Sequence, residues 1–153
     1  MTTTKIEIPV EAHVRKYLVT LYGPEHIAGK KSTIGLEVIN SLTRNYEKPE
    51  KWIGPQYKYT VWIPEFYFNK NGHTIKRNNL QHLGVCLGIQ FDLAMCMFLD
   101  LQVGRGHKAW PSLKEYLLFY NITEDDVKVE TLYKVYQRHC KGPIKTKKKA
   151  VAA

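Results

Sequence analysis

Two segments of the chain alternate between apolar and polar residues, which is the pattern of a β-strand with one buried face. The first is Lys5–Pro9, with the sequence KIEIP, and the second is Tyr57–Ile63, with the sequence YKYTVWI, which Pro64 closes. The residues predicted for the polar faces are Lys5 and Glu7 on the first strand and Lys58, Thr60 and Trp62 on the second. Each strand is therefore expected to hold its other face against a core.

Apolar residues at helical spacing follow each strand and predict two helices after it. The predicted helices are Val10–Leu21, Thr33–Asn45, Glu65–Lys70 and Asn79–Leu101. Pro9 suits the first turn of the first helix, Ser32 or Thr33 can cap the second, and Asn78 or Asn79 can cap the long one.

Breaks in these patterns indicate how the chain is organised. Residues 46–56 contain two prolines and a glycine, so they are predicted to form a loop, which Trp52 would pin to the body. Beyond Gly104, Pro111 opens one helix and Thr123 is expected to cap another. The predicted parts are a core at 1–103, a helical hairpin packed on it at 104–140, and a flexible basic tail at 141–153.

The order strand, helix, helix occurs twice in the first 103 residues, which is a weak internal repeat. Since two short strands cannot stand alone, we expect them to pair antiparallel over the four helices. In this arrangement the chain resembles the ribbon-helix-helix family of DNA-binding proteins, with both units in one chain. The expected fold is mainly α, with a short two-stranded β-ribbon from tandem strand-helix-helix units and a C-terminal helical hairpin.

The resemblance implies that ribbon side chains read base edges in the major groove and that the start of each second helix contacts phosphate. The implied DNA-binding residues are Lys5, Glu7, Lys58, Thr60 and Trp62 on the ribbon, Lys30, Lys31, Ser32 and Thr33 at one helix start, and Lys76, Arg77 and Asn78 at the other. The chain departs from the family in the short helix Glu65–Lys70, in its long first loop, and in Glu7 and Trp62 as groove residues. The alternative is a strand pair that only covers a helical core.

The formal net charge is +9, from 23 Lys and Arg against 14 Asp and Glu, and the basic tail is rich in lysine. Such a tail either neutralises phosphates without sequence preference or serves only solubility. The tail residues expected at DNA are Lys145, Lys147, Lys148 and Lys149. A second DNA hypothesis treats the hairpin as a helix-turn-helix with Lys134 and Arg138 on its outer face, although most such hairpins are packing elements.

No catalytic, metal or cofactor motif is predicted. The segment GPEHIAGKKST lacks the spacing of a phosphate-binding loop and follows a helix where a strand is needed. His82, Cys86 and Cys96 lie on one predicted helix, but a fourth metal ligand is missing and Cys96 lies almost three turns away. The sequence therefore favours a protein that is not an enzyme.

The segment Leu83–Val103 is long and apolar enough to span a bilayer, yet it carries Asp92 and Asp100, so we expect a buried helix and no membrane partner. Because it is apolar on nearly every side, it belongs at the centre of the fold or in a homodimer through Leu83–Leu101. The odd number of cysteines and the start MTTTKIEIP predict a cytoplasmic protein, in the host cytoplasm if a phage encodes it.

Two functions from different classes follow. The first is a non-enzymatic protein that binds double-stranded DNA, as a transcriptional regulator or an accessory factor. The run YLLFYNITEDDVKVETLYKVYQRH is similar to small proteins of phages and mobile elements, which gives a context but no activity. The alternative is a structural or assembly protein of a virion or complex, whose tail contacts nucleic acid.

Overall fold

The computed structural model describes residues 2–45 and 54–142, and within them the chain is mainly helical, with 59% of residues in six helices. The helices are α1 Ala12–Tyr22, α2 Thr33–Ser41, α3 Glu65–Asn71, α4 Arg77–Gly104, α5 Ala109–Phe119 and α6 Val129–Cys140. The strands are β1 Thr3–Val10, β2 Glu25–Ile27, β3 Leu42–Thr43, β4 Tyr57–Pro64 and β5 Thr74–Ile75. Trp52 and the four lysines of the tail predicted to contact DNA lie outside the described residues.

The strands β1 and β4 pair antiparallel along their whole length, so the predicted pairing of these two segments is confirmed. Ile6 lies opposite Val61 and Ile8 lies opposite Tyr59, and all four side chains are buried. Because side chains alternate along a strand, the polar residues between them turn to the opposite face of the sheet.

This sheet has three strands, in the order β1-β4-β2, so the prediction of a two-stranded ribbon is wrong. The strand β2 pairs parallel with the second edge of β4 and brings Ile27 opposite Trp62. The backbone N–H of Ala28 then donates to the carbonyl oxygen of Trp62 at 2.8 Å. A lone strand pair would leave that edge of β4 without partners, and the residues after Pro24 supply them.

Several element boundaries also differ from the predictions; α2, for example, ends at Ser41 and not at Asn45. Pro9 continues β1, which is an edge strand and therefore tolerates proline, and α1 begins after it. The cap of α4 is Lys76, where Asn78 or Asn79 was predicted. Thr123 does not cap α6, because the Asp126 carboxylate accepts the Thr123 backbone N–H at 2.8 Å and holds a turn there instead.

The interpretation of the first 103 residues as tandem units is not confirmed. The order of strand, helix and helix is present twice, but β2, β3 and β5 are added to it, and β3 pairs with β5 in a second small sheet. The helices that the repeat would equate also differ, because α3 has 7 residues where α1 has 11.

The core lies between the three-stranded sheet and the helices, and α4 runs through it in contact with β1, α1, α5 and α6. Phe91 of α4 is fully buried. Its ring centroid lies 4.9 Å from that of His13, 5.3 Å from that of Tyr17 and 6.1 Å from that of Tyr116. Burial in this aromatic cluster lowers the pKa of His13, so the cluster favours a neutral imidazole.

One side of α4 is buried and the other is exposed, although its residues are apolar on nearly every side. The buried side carries Leu83, Leu87, Phe91, Met95 and Leu99, and the exposed side carries Val85, Ile89, Leu93, Met97 and Leu101. Both series repeat every four residues, so each forms a row that spirals slowly around the helix. The two rows stay on opposite sides of the helix. By length and composition α4 could cross a bilayer, but 33% of that window is buried within the protein.

The turn before α6 is tied to α1 by an ion pair between Lys16 and Asp126. Partial burial alone would raise the pKa of Asp126, but hydrogen bonds from Lys16 and Thr123 outweigh it and lower that pKa below its ordinary value. A carboxylate of this kind stabilises the fold above its unfolded pKa of about 3.9, and the contribution is lost as pH falls through the lower folded pKa.

Replacing Asp126 with asparagine is therefore expected to lower the free energy of unfolding by about 1–2 kcal/mol near neutral pH. The difference between the two proteins should shrink below about pH 4, because the wild-type carboxyl then takes up a proton as well. Urea titrations at several pH values measure it. Asp125→Asn in the same turn is the control, since Asp125 is exposed, and an equal loss in both variants would contradict the prediction.

Candidate nucleic-acid interface

The open face of the three-stranded sheet brings together the five residues predicted for the ribbon. In the register of β1 and β4, Lys5 lies opposite Trp62 and Glu7 lies opposite Thr60, while Lys58 lies further along the same face. Lys5, Glu7 and Lys58 are exposed, and Thr60 and Trp62 are half-buried. The alternation that predicted the strands therefore also predicted which side chains share this face.

Ion pairs link the charged residues of the open face to one another. The Lys5 ammonium lies 3.1 Å from one oxygen of Glu7, and the Lys58 ammonium lies 3.6 Å from the other. The hydrogen bond from Lys5, aided by the charges of both lysines, lowers the pKa of Glu7. Glu7 therefore holds its negative charge between the two cations at neutral pH.

The strand β2 adds two residues to the open face that the sequence did not predict there. Glu25 lies opposite Thr60, and its carboxylate accepts the indole N–H of Trp62 at 2.8 Å. Ile27, on the same face, is 66% exposed. The only sequence signal was Glu-His-Ile between Pro24 and Gly29, which is too short to establish alternation. With Glu25 included, two carboxylates balance two ammonium groups on this face, so it has no net charge.

The start of α2 follows β2 after a connection of five residues, 28–32. Ser32 caps the helix, because its hydroxyl oxygen accepts the backbone N–H of Gly35 at 3.1 Å. The Nε2 atom of His26 lies 2.8 Å from the same hydroxyl. The Ser32 hydroxyl is thus occupied within the protein, whereas Lys30 and Lys31 are exposed beside it.

The remaining predicted residues lie on other elements. At the start of α4, Lys76 and Asn78 are exposed and Arg77 is half-buried. Lys134 and Arg138 are exposed on α6, which packs against α4 and α5 and is not part of the sheet. Thr33, the first residue of α2, is also exposed.

Comparisons with family models, with curated proteins and with solved structures give no match to this chain.

The candidate metal ligands on α4 separate into a pair and a single buried thiol. Cys86 Sγ lies 3.5 Å from His82 Nε2, one helical turn apart. Cys96 is buried, and that burial, the largest contribution, raises its pKa to about 11, so it stays a thiol near neutral pH. Within residues 2–45 and 54–142, three or more His, Cys, Asp or Glu side chains do not converge anywhere on a metal site.

A polar cluster between α4 and α6 was not predicted from the sequence. Asp100 lies 2.7 Å from Nε2 of His139 and accepts the Tyr136 hydroxyl at 3.1 Å. The hydrogen bond with His139 is the main cause that lowers the pKa of Asp100. Because residues 36 and 39 positions apart meet here, sequence spacing gave no indication of this cluster.

Proposed function

We propose that the protein binds double-stranded DNA without catalysing a reaction, and that the open face of the sheet enters the major groove. The observation that supports this most is the antiparallel pairing of β1 with β4, which places the exposed Lys5 and Lys58 and the half-buried Thr60 on one face. The major groove admits a strand pair, and side chains that alternate along β1 and β4 can contact base edges there, with β2 along the outer edge of β4.

In this proposal affinity and sequence preference come from different residues. The open face is electrically balanced, so it supplies hydrogen bonds to bases and little attraction to phosphate. Attraction to phosphate is assigned to Lys30 and Lys31 at the start of α2, to Lys76 and Asn78 at the start of α4, and to the lysines of the tail. This division follows the ribbon-helix-helix resemblance, including its two units in one chain, and suits a regulator or an accessory factor.

Binding of a fluorescent DNA duplex, followed by anisotropy over a range of salt concentrations, tests the proposal. The double substitution Lys30→Ala with Lys31→Ala is expected to weaken binding to every duplex about tenfold and to reduce the salt slope by about two. Lys58→Ala should instead reduce the difference between preferred and random duplexes. Absence of duplex binding at low salt would overturn the proposal.

The matched control removes the same charge from the competing surface. Lys134→Ala with Arg138→Ala on α6 should leave the preference between duplexes unchanged and weaken binding less than the α2 double variant. If the α6 variant has the larger effect, the hairpin is the DNA-contacting element and the sheet is not.

Glu7→Gln removes the carboxylate that pairs with Lys5 and Lys58, so it should strengthen DNA binding several-fold. Glu124→Gln makes the same charge change in an exposed turn and should not strengthen binding.

A structural or assembly role is the second candidate, because the exposed apolar side of α4 favours protein association. Light scattering distinguishes the two functions. A large defined oligomer with weak DNA binding of no sequence preference supports assembly, and a monomer or dimer with a preferred duplex supports regulation.

A further inference from the structure

A continuous row of large apolar side chains lies in water along α4, and we refer to it as the α4 stripe. It consists of Val85, Ile89, Leu93, Met97 and Leu101, which are 60%, 53%, 54%, 69% and 54% exposed. Spacing by four residues places them on one ridge of the helix over more than four turns. Together they expose on the order of 500 Å² of apolar surface, at the upper end for the largest patch on a monomeric protein.

The spacing of the stripe is compatible with two-fold symmetry. Its residues are equally spaced, so a two-fold axis at Leu93 brings Val85 opposite Leu101 and Ile89 opposite Met97 of a second copy. Such a symmetric interface uses one patch twice and closes after two chains. The stripe follows the ridge of residues four apart, and two such ridges pack at a crossing angle of about −50°. Ile89, Leu93 and Met97 would then carry the central contacts.

Small and aromatic residues beside the stripe provide the depressions into which side chains of a second helix can pack. Gly88 lies beside Ile89, and the position of a Cβ atom there meets nothing within 4 Å, so a depression is open to a side chain of a partner. At the other end Phe98, one turn from Leu101, lines a cavity of about 360 Å³ with Phe119 of α5. Phe119 is 72% exposed. This added surface brings the patch towards the roughly 800 Å² per chain that stable interfaces bury.

A second copy of the chain suits this patch better than a lipid bilayer does. Asp100 adjoins Leu101 and is exposed, and Asp92 adjoins Leu93. A bilayer would remove water from both carboxyl groups, whereas a helix–helix contact leaves them at a solvated rim. We infer that the protein forms a two-fold symmetric homodimer in which the α4 stripes of two copies pack antiparallel around Leu93.

Size-exclusion chromatography with light scattering, without DNA, tests the dimer. The wild-type chain should have the mass of a dimer that dissociates on dilution. Leu93→Glu puts two like charges together at the axis and should raise the dissociation constant at least tenfold, while circular dichroism shows an unchanged fold. The matched control is Leu36→Glu on a different helix, α2, where Leu36 is 40% exposed, and it should leave the dimer intact.

Cysteine cross-linking tests the antiparallel arrangement. In a background with Cys86→Ser and Cys140→Ser, the single variants Ile89→Cys and Met97→Cys should cross-link when mixed and not when each is oxidised alone. Cross-linking of each variant alone would mean parallel helices and would overturn the arrangement.

Three other results would overturn the dimer itself. They are a monomer at every concentration, a ladder of larger oligomers, and a monomer that sediments with phosphatidylcholine vesicles through Leu93. Because DNA is absent from these measurements, failure of the DNA-binding proposal leaves their outcome unaffected.

Discussion

A protein carrying Phe91→Ala is expected to lose about 3–5 kcal/mol of its free energy of unfolding. The Phe91 side chain is completely buried and joins three elements, because its ring contacts His13 and Tyr17 of α1 and Tyr116 of α5. Removing it deletes buried apolar surface and leaves a cavity that the surrounding rings cannot fill without moving. Urea titration followed by circular dichroism measures the loss.

The matched control is Phe66→Ala, the same substitution at a phenylalanine that is 67% exposed on α3. It is expected to change the free energy of unfolding by less than about 1 kcal/mol, since surface substitutions outside packed sites have small effects. Similar losses for both variants would contradict the packing of α4 between α1 and α5, and with it the position of the core.

The strand pair could be predicted because alternation over several residues identifies both a strand and its buried face. Ile6 and Val61 could be assigned to the buried face because each lies between two residues of the opposite, polar face. The strand β2 could not be predicted, because its three residues carry too little pattern. It forms where the second edge of β4 needs hydrogen-bond partners, and that need exists only once the sheet is assembled.

The long helix shows a different limit of sequence reasoning. Leu87 and Ile89 have similar hydrophobicity, so composition does not reveal that one is buried and the other is exposed. That difference is set by which side β1, α1, α5 and α6 cover. The same limit applies to the open face of the sheet. Its polar residues on β1 and β4 could be predicted from alternation. Its charge balance also depends on Glu25 of β2, a strand that was not predicted.

Gly84→Ala is expected to lower the free energy of unfolding by about 1–3 kcal/mol, the range for inserting an atom into a packed site. Gly84 lies in α4 directly against β1, and a Cβ atom at this position would come within 2.0 Å of the carbonyl oxygen of Pro9. Because the opposing atom belongs to the backbone, the clash can be removed only if α4 and β1 move apart. Because Pro9 stands one turn before α1, such a shift would also disturb the contacts of α1 with α4.

The sign of this effect distinguishes close packing from helix propensity. Alanine normally stabilises a helix by about 0.5–1 kcal/mol relative to glycine. Gly88→Ala, one turn further along α4, should show that gain, since a Cβ atom there meets nothing within 4 Å. Thermal or urea unfolding of both variants, at a dilution where the chain is monomeric and Gly88 faces no partner, should therefore give changes of opposite sign. If Gly84→Ala is as stabilising as Gly88→Ala, the helix does not lie against Pro9.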